Sequence, residues 1–64
     1  MKTAWFKSVG SHTAEVSAKE AAQLMSACDL RVNPRYSDVG AGYAQYDSRE
    51  FPSVRLVLRT VWWR

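Results

Sequence analysis

The chain has 64 residues, 47% of them hydrophobic and 23% charged, which predicts one domain near the lower size limit at which a core alone holds a fold. That composition excludes intrinsic disorder, and a single cysteine, Cys28, excludes an internal disulfide framework. Nine Lys/Arg against six Asp/Glu give a net charge of +3, too mild a bias to select a partner, and the absence of a long apolar run predicts no membrane span and a cytoplasmic location.

Lys2 to Val9 reads as a strand from its β-branched and aromatic content. Gly10-Ser11 fits a two-residue type II′ turn with glycine in the first central position, so His12 to Val16 is the return strand. Placing Val9 opposite His12 puts Trp5, Lys7 and Val9 on one face with His12, Ala14 and Val16, and leaves Phe6 across from Glu15 on the other. The Trp5 and Val16 side is the better core candidate, with Phe6 an exposed aromatic.

Ser17-Ala18-Lys19-Glu20 has the form of a capping box, which predicts a helix start. Ala21, Leu24, Met25 and Cys28 then recur at the spacing of one helical face, which can lie over the sheet until the helix fades by about Leu30. From Arg31 to Pro52 no period survives for long, and Asn33-Pro34, Gly40-Ala41-Gly42 and Phe51-Pro52 predict mostly loop. Within it, Gly42 to Asp47 can form a short strand that hairpins into the last one; Asp38, Asp47 and Glu50 read as solvated loop acids.

The final stretch, Ser53 to Arg64, alternates two faces at strand period. Val54, Leu56, Leu58 and Trp62 form the inner set, facing the helix; Arg55, Val57, Arg59, Val61 and Trp63 form the outer one. The expected fold is therefore α+β, a small antiparallel sheet of three or four strands under one helix, in the order ββαβ or ββαββ, forming a single domain over residues 1–64.

Charge distribution adds to this. Residues 1–14 carry Lys2 and Lys7 without an acid, residues 51–64 carry Arg55, Arg59 and Arg64 without one, and the same two segments hold all three tryptophans. If the end segments pair as neighbouring strands, positive charge and aromatic area share one sheet.

Catalytic constellations are weak. His12 is the only histidine and Cys28 the only thiol, and Cys28 falls on the predicted buried helix face, where cysteine behaves as a small hydrophobe. No metal-ligand spacing appears, and Gly40-Ala41-Gly42 lacks the third glycine and the Lys-Ser/Thr of a phosphate cradle. No enzyme activity, metal or cofactor is expected.

The arginine face has three readings: charged residues that blunt a sheet edge, a nucleic-acid surface combining phosphate contacts with aromatic stacking, and a protein-binding surface of the Trp, Tyr and Arg types enriched in interface hot spots. No helix-turn-helix, zinc finger or RNP-type motif supports the second, and protein binding is preferred. A homodimer formed by continuing the sheet across a two-fold axis stays open.

The order of a Trp-bearing first strand, a short turn, His12-Thr13-Ala14-Glu15-Val16, a Glu20-Ala21-Ala22 helix and an Arg-bearing last strand resembles the short inhibitors of bacterial RNA polymerase made by T7-type phages. More loosely it is similar to compact basic anti-CRISPR proteins. The likeness covers about residues 4–28 and 53–60. It implies a ββαβ outline and a phage or mobile-element protein that modulates a host complex, with Glu15, Arg55 and Arg59 as contacts. In that family the arginines lie two apart and here four apart, which still shares a face, and the Arg31 to Pro52 insert has no counterpart. With the charge layout, the expected partner-binding set is Lys7, Glu15, Arg55, Arg59, Trp63 and Arg64.

Overall fold

The computed structural model describes residues 2–37 and 42–64. Asp38, Gly40 and Ala41, for which a loop acid and part of a turn are expected, lie outside the described residues. The elements are β1 (Lys2–Val9), β2 (His12–Val16), α1 (Ala18–Ala27), β3 (Leu30–Val32), a 3₁₀ turn (Pro34–Tyr36), β4 (Tyr43–Ser48) and β5 (Val54–Val61). The sheet is antiparallel and its spatial order is β2-β1-β5-β4-β3, so the first and last strands are neighbours.

The α+β class holds, but the sheet has five strands where three or four are expected. The added strand is β3. The helix ends at Ala27, Cys28 caps it by donating its amide to the Leu24 carbonyl at 3.0 Å, and Asp29 takes a left-handed φ of 48° that turns the chain straight into Leu30. Aspartate is among the few side chains that tolerate this region. Much of the supposed loop from Arg31 onward is thus ordered: β3 pairs with β4, and Asn33 accepts the Arg35 amide on its side chain at 3.0 Å to start the 3₁₀ turn.

The β1–β2 hairpin has the expected register, with Val9 opposite His12 and Phe6 opposite Glu15, and Gly10 at φ 62°. The helix begins as its capping signal predicts, Ser17 Oγ accepting the Glu20 amide at 3.1 Å. The Glu20 carboxylate meets Lys7 Nζ at 3.7 Å.

The core lies between helix and sheet. Ala21, Leu30 and Leu56 are its buried centre, and Trp5, Val16, Leu24, Met25, Cys28, Tyr46 and Val54 pack against them. Trp62, expected among the inner residues, is instead 84% exposed. β5 ends at Val61, so the strand period no longer governs the next side chain. Ala4 and Val61 are buried on the opposite, helix-free side of the sheet. Among the described residues no helix is long and apolar enough to cross a membrane.

Candidate functional site

The helix covers one side of the sheet, and the register fixes what the other side displays. Thr13, Ser8, Arg55 and Asp47 form one row across four strands. Glu15, Phe6, Val57 and Gln45 form the next, and Ala4, Arg59 and Tyr43 the third. Arg55 and Arg59 therefore stand on the same face with Val57 between them, about 13 Å apart along the strand at its usual rise.

Between them lies a depression of about 200 Å³ whose floor and walls include Phe6, Val57, Gln45 and Thr13. Arg59 leans across to β1, its Cζ 4.4 Å from the centroid of the Phe6 ring. Such a contact holds a cation to an aromatic face with about 0.5–1 kcal/mol at an exposed site. Trp63 approaches the same ring edge-on, with centroids 6.3 Å apart and planes at 83°. Phe6 is half-buried in consequence, where the sequence suggests an exposed ring.

The segment after β5 thus folds back over the outer face. Trp63 packs on Phe6, and Arg64 reaches β2, where it pairs with Glu15. Trp62 stands edge-on to Trp63 and points into solvent.

The six expected partner-binding residues divide. Glu15, Arg55, Arg59, Trp63 and Arg64 come together on the outer face. Lys7 does not: it shares the helix side with Trp5, opposite Leu56, and pairs with Glu20. A strand sends alternate side chains to opposite faces, so Lys7 cannot act with Arg55 and Arg59. Glu15 and Arg64 neutralise each other, whereas neither Arg55 nor Arg59 has an ion-pair partner among the described residues.

Asp47, read as a loop acid, belongs to β4 and lies opposite Arg55, but its carboxylate is engaged by its own network. Asn33 Nδ2 donates to it at 2.7 Å and Gln45 Nε2 at 3.0 Å, while Tyr43 Oη donates to Gln45 Oε1 at 2.9 Å. Tyr43, Gln45, Ser8 and Thr13 are site residues that the sequence does not single out. Their signal is parity alone, usable only once the register to Arg55 and Arg59 is known.

The chemistry on offer is donation. Two guanidiniums and the hydroxyls of Ser8 and Thr13 surround an apolar floor, which suits carboxylates or phosphates flanking a small hydrophobic group. Elsewhere, His12 is exposed beside the hairpin turn and Cys28 is half-buried against the core. Among the described residues no three His, Cys, Asp or Glu side chains are placed to hold a metal. A second depression, about 300 Å³, lies on the helix side and is lined by Thr3, Val32, Ala44, Tyr46 and Leu58 among others, none of them charged.

No protein family, characterised protein or solved structure matches the chain. The functional reading rests on the face itself.

Proposed function

We propose that the chain is a non-catalytic binding protein, encoded by a phage or other mobile element and acting in the bacterial cytoplasm, that inhibits or modulates a larger host protein complex. RNA polymerase and CRISPR effectors are the classes of target. The outer sheet face would lie on an acidic surface of that complex. One observation carries this reading: among the described residues Arg55 and Arg59 have no carboxylate ion-pair partner, they stand on one face on either side of apolar Val57, and Arg59 is held in place by Phe6. Arginines positioned in this way on a rigid element are the usual anchors of a protein interface, and each such anchor contributes about 1–3 kcal/mol or more.

The test is affinity capture from bacterial lysate with tagged wild type beside Arg55→Ala/Arg59→Ala. A stoichiometric protein partner retained by wild type and reduced at least about tenfold for the double variant supports the proposal. Equal recovery by both, or no stoichiometric partner at all, overturns it.

Nucleic-acid binding is the alternative, and it has one observation of its own, the largely exposed ring of Trp62. Against it, the Phe6 ring is already faced by Arg59 and edged by Trp63. A nucleic-acid binder would lose affinity steeply with salt, in proportion to the phosphates contacted. Titration of labelled single-stranded DNA and RNA at two salt concentrations separates the two readings.

A further inference from the structure

The two edges of the sheet differ in kind. β3 is three residues long, carries Arg31 and runs directly into Asn33-Pro34, which blunts it against further pairing. β2 is less protected: it is longer, and its one acid, Glu15, is already paired with Arg64. Its five residues include no proline and no lysine, and His12 through Glu15 are all exposed.

The hairpin register states which backbone groups that edge presents. A two-residue loop closes on a hydrogen-bonded pair, here Val9 and His12, so Ala14 with Lys7 and Val16 with Trp5 are hydrogen-bonded pairs as well. The alternation is confirmed on the far side of β1, where Gly10 donates its amide not toward β2 but to the Ser53 carbonyl at 2.8 Å. Thr13 and Glu15 therefore direct amide and carbonyl away from the sheet, and among the described residues these four groups have no partner. Water solvates these exposed groups in a monomer, and another extended segment can take up the whole row at once.

We infer that β2 pairs antiparallel with β2 of a second copy about a two-fold axis at Ala14, joining two sheets into one. Three registers place a two-fold axis within reach. An axis at Glu15 sets two glutamates directly opposite, which is repulsive, and an axis at Thr13 shortens the overlap. The axis at Ala14 uses all five residues: Thr13 faces Glu15 of the other copy in two hydrogen-bonded pairs, giving four backbone hydrogen bonds, and His12 faces Val16. It also makes Ala14 a non-hydrogen-bonded pair with itself, the position where Cα atoms approach to about 4.5 Å and a methyl side chain fits best. No like charges then oppose each other, and the outer face with Arg55 and Arg59 stays free on both copies. The inference stands independently of what that face binds.

An interface of five residues a side is small, so dimerisation is expected in the range of about 10 μM to 1 mM. Sedimentation across that range tests it, with Ala14→Lys as the disrupting variant: Ala14 is exposed, so the fold, checked by circular dichroism, is retained while two ammonium groups meet at the axis. Oxidation of Ala14→Cys tests the register directly, because the non-hydrogen-bonded pair lies within disulfide reach. Ser11→Cys is its control, since the same axis keeps those two positions about 20 Å apart. Concentration-dependent dimer that at least tenfold weakens in Ala14→Lys, with Ala14→Cys cross-linking well above Ser11→Cys, supports the inference. A wild type that stays monomeric throughout, a dimer indifferent to Ala14→Lys, or equal cross-linking of the two cysteine variants overturns it.

Discussion

Arg59 on the last strand rests its guanidinium on the ring of Phe6 on the first, at 4.4 Å from the centroid. The most exposed chemistry of the face is thereby tied to the pairing that closes the sheet. A double-mutant cycle of Phe6→Leu and Arg59→Ala, followed by urea denaturation, is expected to give a coupling of about 0.5–1 kcal/mol. Strictly additive effects would mean that the two side chains do not support each other. Arg59→Lys should lose most of that coupling as well, because an ammonium is a point charge without a planar face to stack.

Trp62 and Trp63 are adjacent but should behave oppositely. Trp62 is 84% exposed, so Trp62→Ala is expected to change stability by less than about 0.5 kcal/mol, while Trp63→Ala, which uncovers Phe6, should destabilise by about 1–2 kcal/mol. Thermal denaturation distinguishes them. The Arg64–Glu15 ion pair beside them is half-exposed, and breaking it with Arg64→Ala should contribute no more than about 1 kcal/mol.

Gly10 and Gly42 both have positive φ, at 62° and 69°, yet substitution should separate them. At Gly10 an added methyl meets open space, so Gly10→Ala carries only the left-handed strain of about 1–2 kcal/mol. At Gly42 the methyl would collide with the Thr60 side chain, at the point where Thr60 donates its amide to the Gly42 carbonyl at 3.0 Å. Gly42→Ala should therefore show the larger fall in melting temperature, and equal falls would contradict this account.

Leu56 is completely buried at the centre of β5, and Leu56→Ala is expected to destabilise by about 2–5 kcal/mol. For so small a domain that is enough to leave much of the chain unfolded. Ser17→Ala removes one helix cap worth about 1 kcal/mol and should lower the melting temperature by about 4–8 °C without unfolding the protein at room temperature.

The features that could be read from sequence are those that depend on near neighbours. Gly10-Ser11 defines the first hairpin, Ser17 with Glu20 the helix start, and the alternation from Val54 to Val61 the last strand, whose place beside β1 the distribution of charge and tryptophan only suggests. β3 leaves no local signal, because three residues are too few to show a period and its entry relies on Asp29 in place of a glycine. Strand parity places Trp62 inside only if it runs one residue past the end of the strand at Val61. Charge alone groups Lys7 with the arginines, whereas its parity with Trp5 puts it on the other face. Tyr43 and Gln45 reach the site only through the β4–β5 register, a long-range fact that no local pattern contains.

The neighbour relations of β5 also govern the order of assembly. The strand at the middle of the sheet is the last one in chain order, bonded to β1 on one side and β4 on the other. The β1–β2 hairpin and the helix rest on contacts between near neighbours, whereas Leu56, the residue around which the core closes, comes from a strand far along the chain from both. Joining β1 to β5 pairs residues as far apart as Lys2 and Val61, so the contacts that complete the core carry the largest loop-closure entropy in the sheet. Without β5, the β1–β2 hairpin would be bare on both edges, and the helix would keep Trp5 and Val16 beneath it but lack Leu56.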